Sequence, residues 1–319
     1  MQIIRIYKIS MNAKRIAIIC ITLLTLGVLV FLVRMRVNQA VIDPNKMQVT
    51  TSFYPLYFFA SQIGGEKVNV YNITPAGAEP HDYEPTAQDM THIDASKVLF
   101  LSGNSLEAWG EKIRQNIDTT RTRTVTVGEG LATQQSSEDG KQVVDPHVWL
   151  NPVLAEKMVD KITMALTQAD EQNAPYYEEN STALKQKLQN LDAEYRTGLM
   201  MCAQKSIVTS HAAFGYLASA YGLNQVAIAG ISPDAEPSQK TLSDIANFVE
   251  KNNVHYIFFE NLLSPKLAET LARETGAKTL VLDPLEGISE EDQRLGKDYF
   301  TVMQQNLKNL ELALSCQPG

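Results

Sequence analysis

Apolar positions along the chain fall into two periodicities that alternate. Short β-branched or aromatic runs at residues 68–73, 98–101, 125–127, 206–209, 226–229, 255–260 and 278–282 read as buried strands. Between them the spacing changes to three and four residues. Ala155, Met158, Ile162 and Leu166 predict one helix, and Leu242, Ile245, Ala246 and Val249 another. The segment VTTSFYPLYFFASQIGG, from Val49, predicts a strand, a turn at Pro55 and an aromatic-rich helix ended by Gly64 and Gly65. Thr86 with Asp89 three residues on has the form of a capping box. Ser264 as cap, Pro265 at the first helical position and Gly276 beyond the end frame a further helix. The longest pattern begins after Pro175, where Leu184, Leu188, Leu191, Tyr195 and Leu199 recur without a glycine until Gly198. About 25 helical residues reach roughly 37 Å, enough to connect two domains rigidly.

Alternating strands and helices predict an α/β fold with parallel sheets covered on both faces. The plan of the first half is repeated in the second. With 319 residues, a chain of this length exceeds one ordinary core, so two lobes are expected. The expected division is an N-terminal signal or anchor over 1–40, a lobe over 41–173, a linking helix over 174–200 and a second lobe over 201–319.

Charge and cysteine usage narrow the function. The net charge of -8 hides a split. Arg5, Lys8, Lys14, Arg15, Arg34 and Arg36 fall within residues 1–40, which hold no acidic residue. The rest is strongly acidic, which argues against a nucleic-acid partner and suits a cationic ligand. Residues 16–33 form an apolar run with basic residues on both sides, either an uncleaved membrane anchor or a cleaved leader. The charge bias places the body outside the cytoplasm. Asn38 is a poor residue three places from the end of a leader cleaved after Ala40, and Cys20, preceded by Ile19, is a poor lipid-attachment site. In an exported protein Cys202 and Cys316 form a disulfide or remain separate thiols; spacing leaves both open.

The chemistry is carried by few residues. The stretch TPAGAEPHDYEPT, 74–86, presents His81 between two prolines at the end of a strand. His147 in DPHVWLNP and His211 in SHAAFGYLA hold comparable places, and Asp283 ends a strand. Three imidazoles and one carboxylate suit four-coordinate zinc, although histidines satisfied within loops would leave the same spacing. His92, inside a helix, and His255, inside a strand, read as packing residues. Asp145 reads as a turn residue or as an acceptor that orients an imidazole. Glu260 either offsets charge at the site or caps a neighbouring helix.

GAEPHDYEPT, VVDPHVWLNP, the histidine before AAFGYLA, GISPDAEPS and LVLDPLEG, in this order, resemble the zinc-binding members of the cluster A-I family, the metal-binding proteins of bacterial ABC importers for zinc and manganese. The resemblance covers about residues 47–315. It implies two lobes joined by one long helix, metal in the cleft between them, and His81, His147, His211 and Asp283 as metal ligands. Manganese members typically place a second carboxylate where His211 stands, so zinc is expected, with a manganese importer component as the alternative. Pro80 stands where some zinc members have a glutamate, which puts Glu79 in doubt as a ligand. Residues 128–143 contain no histidine, so no auxiliary collecting loop is expected.

The expected function is capture of Zn2+, as transported ligand, at the outer face of the cytoplasmic membrane or in the periplasm, by a monomer that delivers it to an ABC permease. A zinc-dependent hydrolase is the competing reading. It would need an open coordination position, and the chain has no HExxH, GxSxG or glycine-rich phosphate loop. A surface adhesin is a third. Neither catalytic nor cofactor-binding residues are expected. Proton competition should weaken capture below about pH 6. A rigid connector predicts modest movement on metal release, concentrated around His211 and the loop before His147.

Overall fold

The computed structural model describes Gly27 and residues 45–317, except 104, 139–140 and 234–236. The expected N-terminal anchor or leader lies outside the described residues. Among the described residues no helix is long and apolar enough to cross a membrane.

The first lobe runs β1 (Met47–Thr51), α1 (Tyr54–Gly64), β2 (Val68–Asn72), α2 (Ala87–Ala95), β3 (Val98–Leu101), α3 (Gly110–Asn116) and β4 (Arg123–Thr126). Its sheet is parallel, in the order β2-β1-β3-β4. A hairpin of β5 (Gln135–Glu138) and β6 (Lys141–Val144) follows, where the polar composition of 128–143 had predicted only loop. Next come α4 (Pro152–Ala169) and α5 (Ala174–Met200).

The second lobe runs β7 (Ser206–Thr209), α6 (Gly215–Tyr221), β8 (Asn224–Ala227), α7 (Gln239–Lys251), β9 (Tyr256–Phe259), α8 (Lys266–Thr275) and β10 (Lys278–Val281). It closes with α9 (Glu290–Arg294) and α10 (Tyr299–Ala313). Its order, β10-β9-β7-β8, repeats that of the first sheet strand for strand. In each sheet the order reverses between the first and third strands of the lobe. That crevice, at the carboxyl ends of the strands, is where open α/β sheets hold ligands.

Local chemistry accounts for most boundaries. The Thr86 side chain accepts from Asp89 N while the Asp89 carboxylate accepts from Thr86 N, completing the expected capping box. Gly222 ends α6 in the left-handed region at φ 66°, a conformation that a Cβ disfavours. Two local expectations differ. Ser264 does not cap α8, which starts one residue later with Pro265 at the N-cap and no side-chain cap bond. His255 precedes β9 and is exposed instead of lying within the strand.

Helix α5 buries one stripe, Tyr177, Ser181, Leu184, Leu188, Leu191, Tyr195 and Leu199. At 1.5 Å per residue its 27 residues span about 40 Å. Tyr177 donates to Asp170 at one end, and Tyr195 donates to the Met303 carbonyl of α10 at the other. The largest hydrophobic cluster runs through α1, α4, α5, α6 and α10 without a break, so the connector is core to both lobes. Smaller clusters close the outer faces: Ile73, Ile93, Leu99 and Ile113 in the first lobe, and Val208, Ile245, Ile257 and Leu271 in the second. A disulfide joins Cys202, just past α5, to Cys316, just past α10, settling the pairing that spacing had left open.

Candidate metal centre

Each candidate residue leaves the carboxyl end of a strand and is held by its own local device. His81 lies in the 74–86 loop after β2, whose far end is tied down by Asp89. The Asp89 carboxylate accepts from Tyr71 Oη (2.7 Å), Tyr83 Oη (3.0 Å), Thr86 N (2.7 Å) and Thr86 Oγ1 (2.7 Å). Burial alone would raise the Asp89 pKa; these donors outweigh it and hold it below the ordinary carboxylate value. His92, in the same helix, stacks on Tyr71 and stays outside the site, as packing predicted.

His147 follows β6. Asp145 Oδ1 accepts from its backbone N at 2.9 Å and lies 2.7 Å from Nδ1, which leaves Nε2 facing the cleft. The short turn after it buries Trp149, whose indole donates to the Pro284 carbonyl of the second lobe at 2.7 Å. His211 follows β7 and is held in the same way, with Nδ1 2.7 Å from Glu260 Oε1. Asp145 thus takes the orienting role that was one of its two sequence readings, and Glu260, read as offsetting charge at the site or capping a helix, stands at the site against the His211 imidazole.

Donor atoms of His81, His147, His211 and Glu286 all lie within 4.8 Å of one another. Glu286 Oε1 is the hub: it stands 2.8 Å from His147 Nε2, 3.3 Å from His211 Nε2 and 3.3 Å from His81 Nε2. His147 Nε2 and His211 Nε2 are 3.4 Å apart. His81 Nε2, although 3.3 Å from Glu286 Oε1, and Glu79 Oε2 are buried atoms that make no hydrogen bond of good geometry, a costly arrangement that a bound cation would relieve at His81. All four members are nearly closed to solvent, His81 with 5% of its side chain exposed and the others with 1% or less.

Asp283, the carboxylate favoured from the sequence, stands outside this quartet. Its oxygens are engaged elsewhere: Oδ1 accepts from Leu285 N at 2.8 Å and Oδ2 from Asn261 Nδ2 at 2.9 Å. Asn306, reaching over from α10, brackets the Asp283 backbone with two further bonds. Leu285 sits at φ 58°, a strained left-handed conformation for a side chain of this kind. Asp283 therefore shapes the turn that swings Glu286 into the cleft. Glu286 lies in the same motif, LVLDPLEG, but strand-end position and the resemblance both point to Asp283. The signal for it in the sequence is an acidic residue three places after Asp283, beyond Pro284 and directly before Gly287.

The charges are strongly coupled. Burial disfavours charging His147 and His211, but Asp145 and Glu286 outweigh it at the first, and Glu260 and Glu286 at the second. Both pKa values stand above the usual histidine value, that of His211 well above. Burial alone would push Glu286 up; His211, His147 and His81 hold it well below the carboxylate range. Burial, reinforced by Glu286, pushes Glu79 to about 9. Burial likewise pushes Asp283 to about 6, against the hydrogen bonds from Leu285 and Asn261. The result is a solvent-shielded cluster with three imidazole nitrogens converging on one carboxylate, a donor set that fits a borderline-soft divalent cation such as zinc.

Comparison with known proteins agrees with this geometry. Residues 49–313 match the family model described as zinc-uptake complex component A, periplasmic. The chain is 41% identical over 285 residues to the zinc-binding lipoprotein AdcA of Streptococcus pneumoniae, covering 86% of this chain and 57% of that protein. It therefore spans little more than half of that relative. It is 40% identical over 281 residues to the high-affinity zinc uptake system protein ZnuA of Bacillus subtilis, covering 85% of this chain and 88% of that one. The crystal structure of the Zn(II)-bound ZnuA-like domain of S. pneumoniae AdcA superposes with a TM-score of 0.74 at 41% identity, covering 84% of this chain and 99% of that domain. With two topologically matched α/β lobes, a buried three-histidine cleft and a family match over nearly all of both lobes, the chain belongs to the family of zinc-uptake complex component A.

Proposed function

We propose that this protein captures zinc outside the cytoplasmic membrane and hands it to an ABC permease for import. The observation that carries the reading is the convergence of His81, His147, His211 and Glu286 within 4.8 Å, with His81 Nε2 buried and making no hydrogen bond of good geometry. These four residues are the proposed ligands, and Asp283 is a positioning residue. Three neutral nitrogens and one carboxylate favour zinc over manganese, which prefers an oxygen-richer set. Four protein donors complete a tetrahedral shell and leave no position for a water nucleophile, which supports a binding protein over a hydrolase. The relatives' names, a lipoprotein and an uptake-system component, support an exported, membrane-associated place of action and a permease partner. The two lobes over 41–173 and 201–319 would act as a monomer, with residues 1–40 as leader or anchor.

The test is the metal content and zinc affinity of residues 41–319, purified without chelator or affinity tag. One tightly held zinc per chain is expected. Structural zinc sites bind with about 10–16 kcal/mol shared over four ligands, so losing one in His211→Ala or Glu286→Ala should weaken binding about 100-fold or more. Asp283→Ala should weaken it less, about 10–100-fold, as removal of an orienting partner does. Indifference to both His211→Ala and Glu286→Ala would overturn the reading.

A further inference from the structure

The two halves of the site meet through a second set of contacts. Tyr216, in the first turn of α6, is 3% exposed and lies five residues after His211. Its hydroxyl crosses the cleft. It accepts from Thr133 N at 2.7 Å and from Gln134 N at 2.9 Å, and donates to the Asp145 carbonyl at 3.2 Å. One donor and two acceptor sites are all that a phenol offers, so the hydroxyl is fully used. All three partners are backbone groups of the first lobe, in the segment leading to His147, and Asp145 is the residue whose carboxylate orients the His147 ring.

Gly215 provides independent support. A Cβ there would stand 2.8 Å from Asp145 Oδ2 and 2.9 Å from Gln134 Oε1, closer than side-chain carbons approach such atoms. The absence of a side chain is what lets α6 lie against Asp145. A glycine for close approach and a tyrosine for attachment therefore stand side by side and face the same residue.

We propose that Gly215 and Tyr216 form a latch across the cleft that keeps His147 and His211 in register and sets how long zinc stays bound. Tyr216 acts as a positioning residue, touching neither metal nor imidazole. Metal sites tolerate errors of only about 0.2 Å in ligand distance. His147 belongs to one lobe and His211 to the other, so their spacing depends on how the lobes dock beside them. While the latch is closed, two amides and a carbonyl of the first lobe rely on one hydroxyl of the second. When this contact opens locally, water satisfies the same groups, which makes the latch reversible and places it among the contacts undone as cargo is released.

This inference rests on the zinc-capture reading, and the experiment separates the two. Zinc-loaded protein is mixed with excess chromophoric chelator in a stopped-flow instrument, and association of free Zn2+ is followed separately. In Tyr216→Phe, which keeps the ring, dissociation should be at least about tenfold faster while association changes much less. Tyr195→Phe is the control. It also removes a buried hydroxyl bond, to the Met303 carbonyl, and should lower thermal stability without accelerating release. Gly215→Ala, pressing a methyl group against Asp145, should accelerate release as well and decides the matter if Tyr216→Phe fails to fold. Wild-type dissociation rates in both variants, or equal acceleration by Tyr195→Phe, would overturn the latch and leave zinc capture standing. A wild-type protein that holds no zinc would instead overturn the function itself.

Discussion

Single residues at this site act through the charges beside them. Glu260 and Asp145 orient imidazoles that also contact Glu286, and this raises the pKa of His211 and His147 above the ordinary 6.5. Protons and zinc compete for the same nitrogen lone pairs. Zinc affinity should therefore start to fall at a pH above about 6.5, higher than the value near 6 expected from unperturbed histidines. Stability of the metal-free protein should move the other way. The contribution of the two histidines is fully present below about 6.5 and is lost as pH rises through their raised folded-state values. Glu286 has a depressed pKa, so its contribution is present above the ordinary carboxylate value and is lost as pH falls through its folded-state value. Zinc titrations by competition at several pH values from about 8 to 5 check this, with calorimetry in two buffers to count released protons. An affinity constant down to pH 6.5 would show that the carboxylates do not raise these histidines.

At the scale of elements, the 74–86 loop is tied down at its far end by Asp89. Its ordering depends on α2, whose capping box also serves as the anchor of Tyr83, two residues after His81. Asp89→Asn keeps the shape of the side chain but turns an amide toward groups that all donate. We expect a loss of about 1–2 kcal/mol of stability, together with weaker zinc binding because His81 is no longer held for it. Thermal unfolding with and without zinc measures both effects. A destabilised protein with unchanged zinc affinity would show that the loop is ordered without Asp89. The capping box was legible in the sequence because both partners lie within four residues. The Tyr71 and Tyr83 contacts to the same carboxylate were not, since helical and strand periodicity carry no information about which loop folds back onto which strand.

The whole molecule is built against wide opening. Helix α5 is packed into both lobes, and the Cys202–Cys316 disulfide joins its end to the end of α10, closing a loop with a sequence separation of 114 residues. A crosslink over so long a loop chiefly restrains the unfolded chain. Replacing both cysteines by serine should therefore cost about 2–4 kcal/mol of stability, measured by denaturant unfolding. Zinc affinity should change little, because no member of the quartet contacts either cysteine and Asn306, which braces the Asp283 turn, lies ten residues before Cys316, within α10. A large loss of affinity in the doubly substituted protein would mean that the disulfide sets the lobe arrangement itself. With connector and crosslink both rigid, release is expected through small local movements about Tyr216 and the flanking loops and not through a hinge.

Strand and helix order, the long connector and the three histidines could be read from the chain because each rests on short-range signals: periodicity, caps, and imidazoles placed in loops at strand ends. The fourth donor could not be read in that way. Whether Asp283 or Glu286 faces the histidines depends on the left-handed Leu285, on Asn261 and on Asn306, which lies 23 residues further along the chain. The latch likewise pairs Tyr216 with backbone 71 to 83 residues earlier. Such contacts form only when packing brings distant segments together. Periodicity ranks candidates by position along an element, whereas the direction of a side chain in a turn is set by whichever distant partner holds that turn in place.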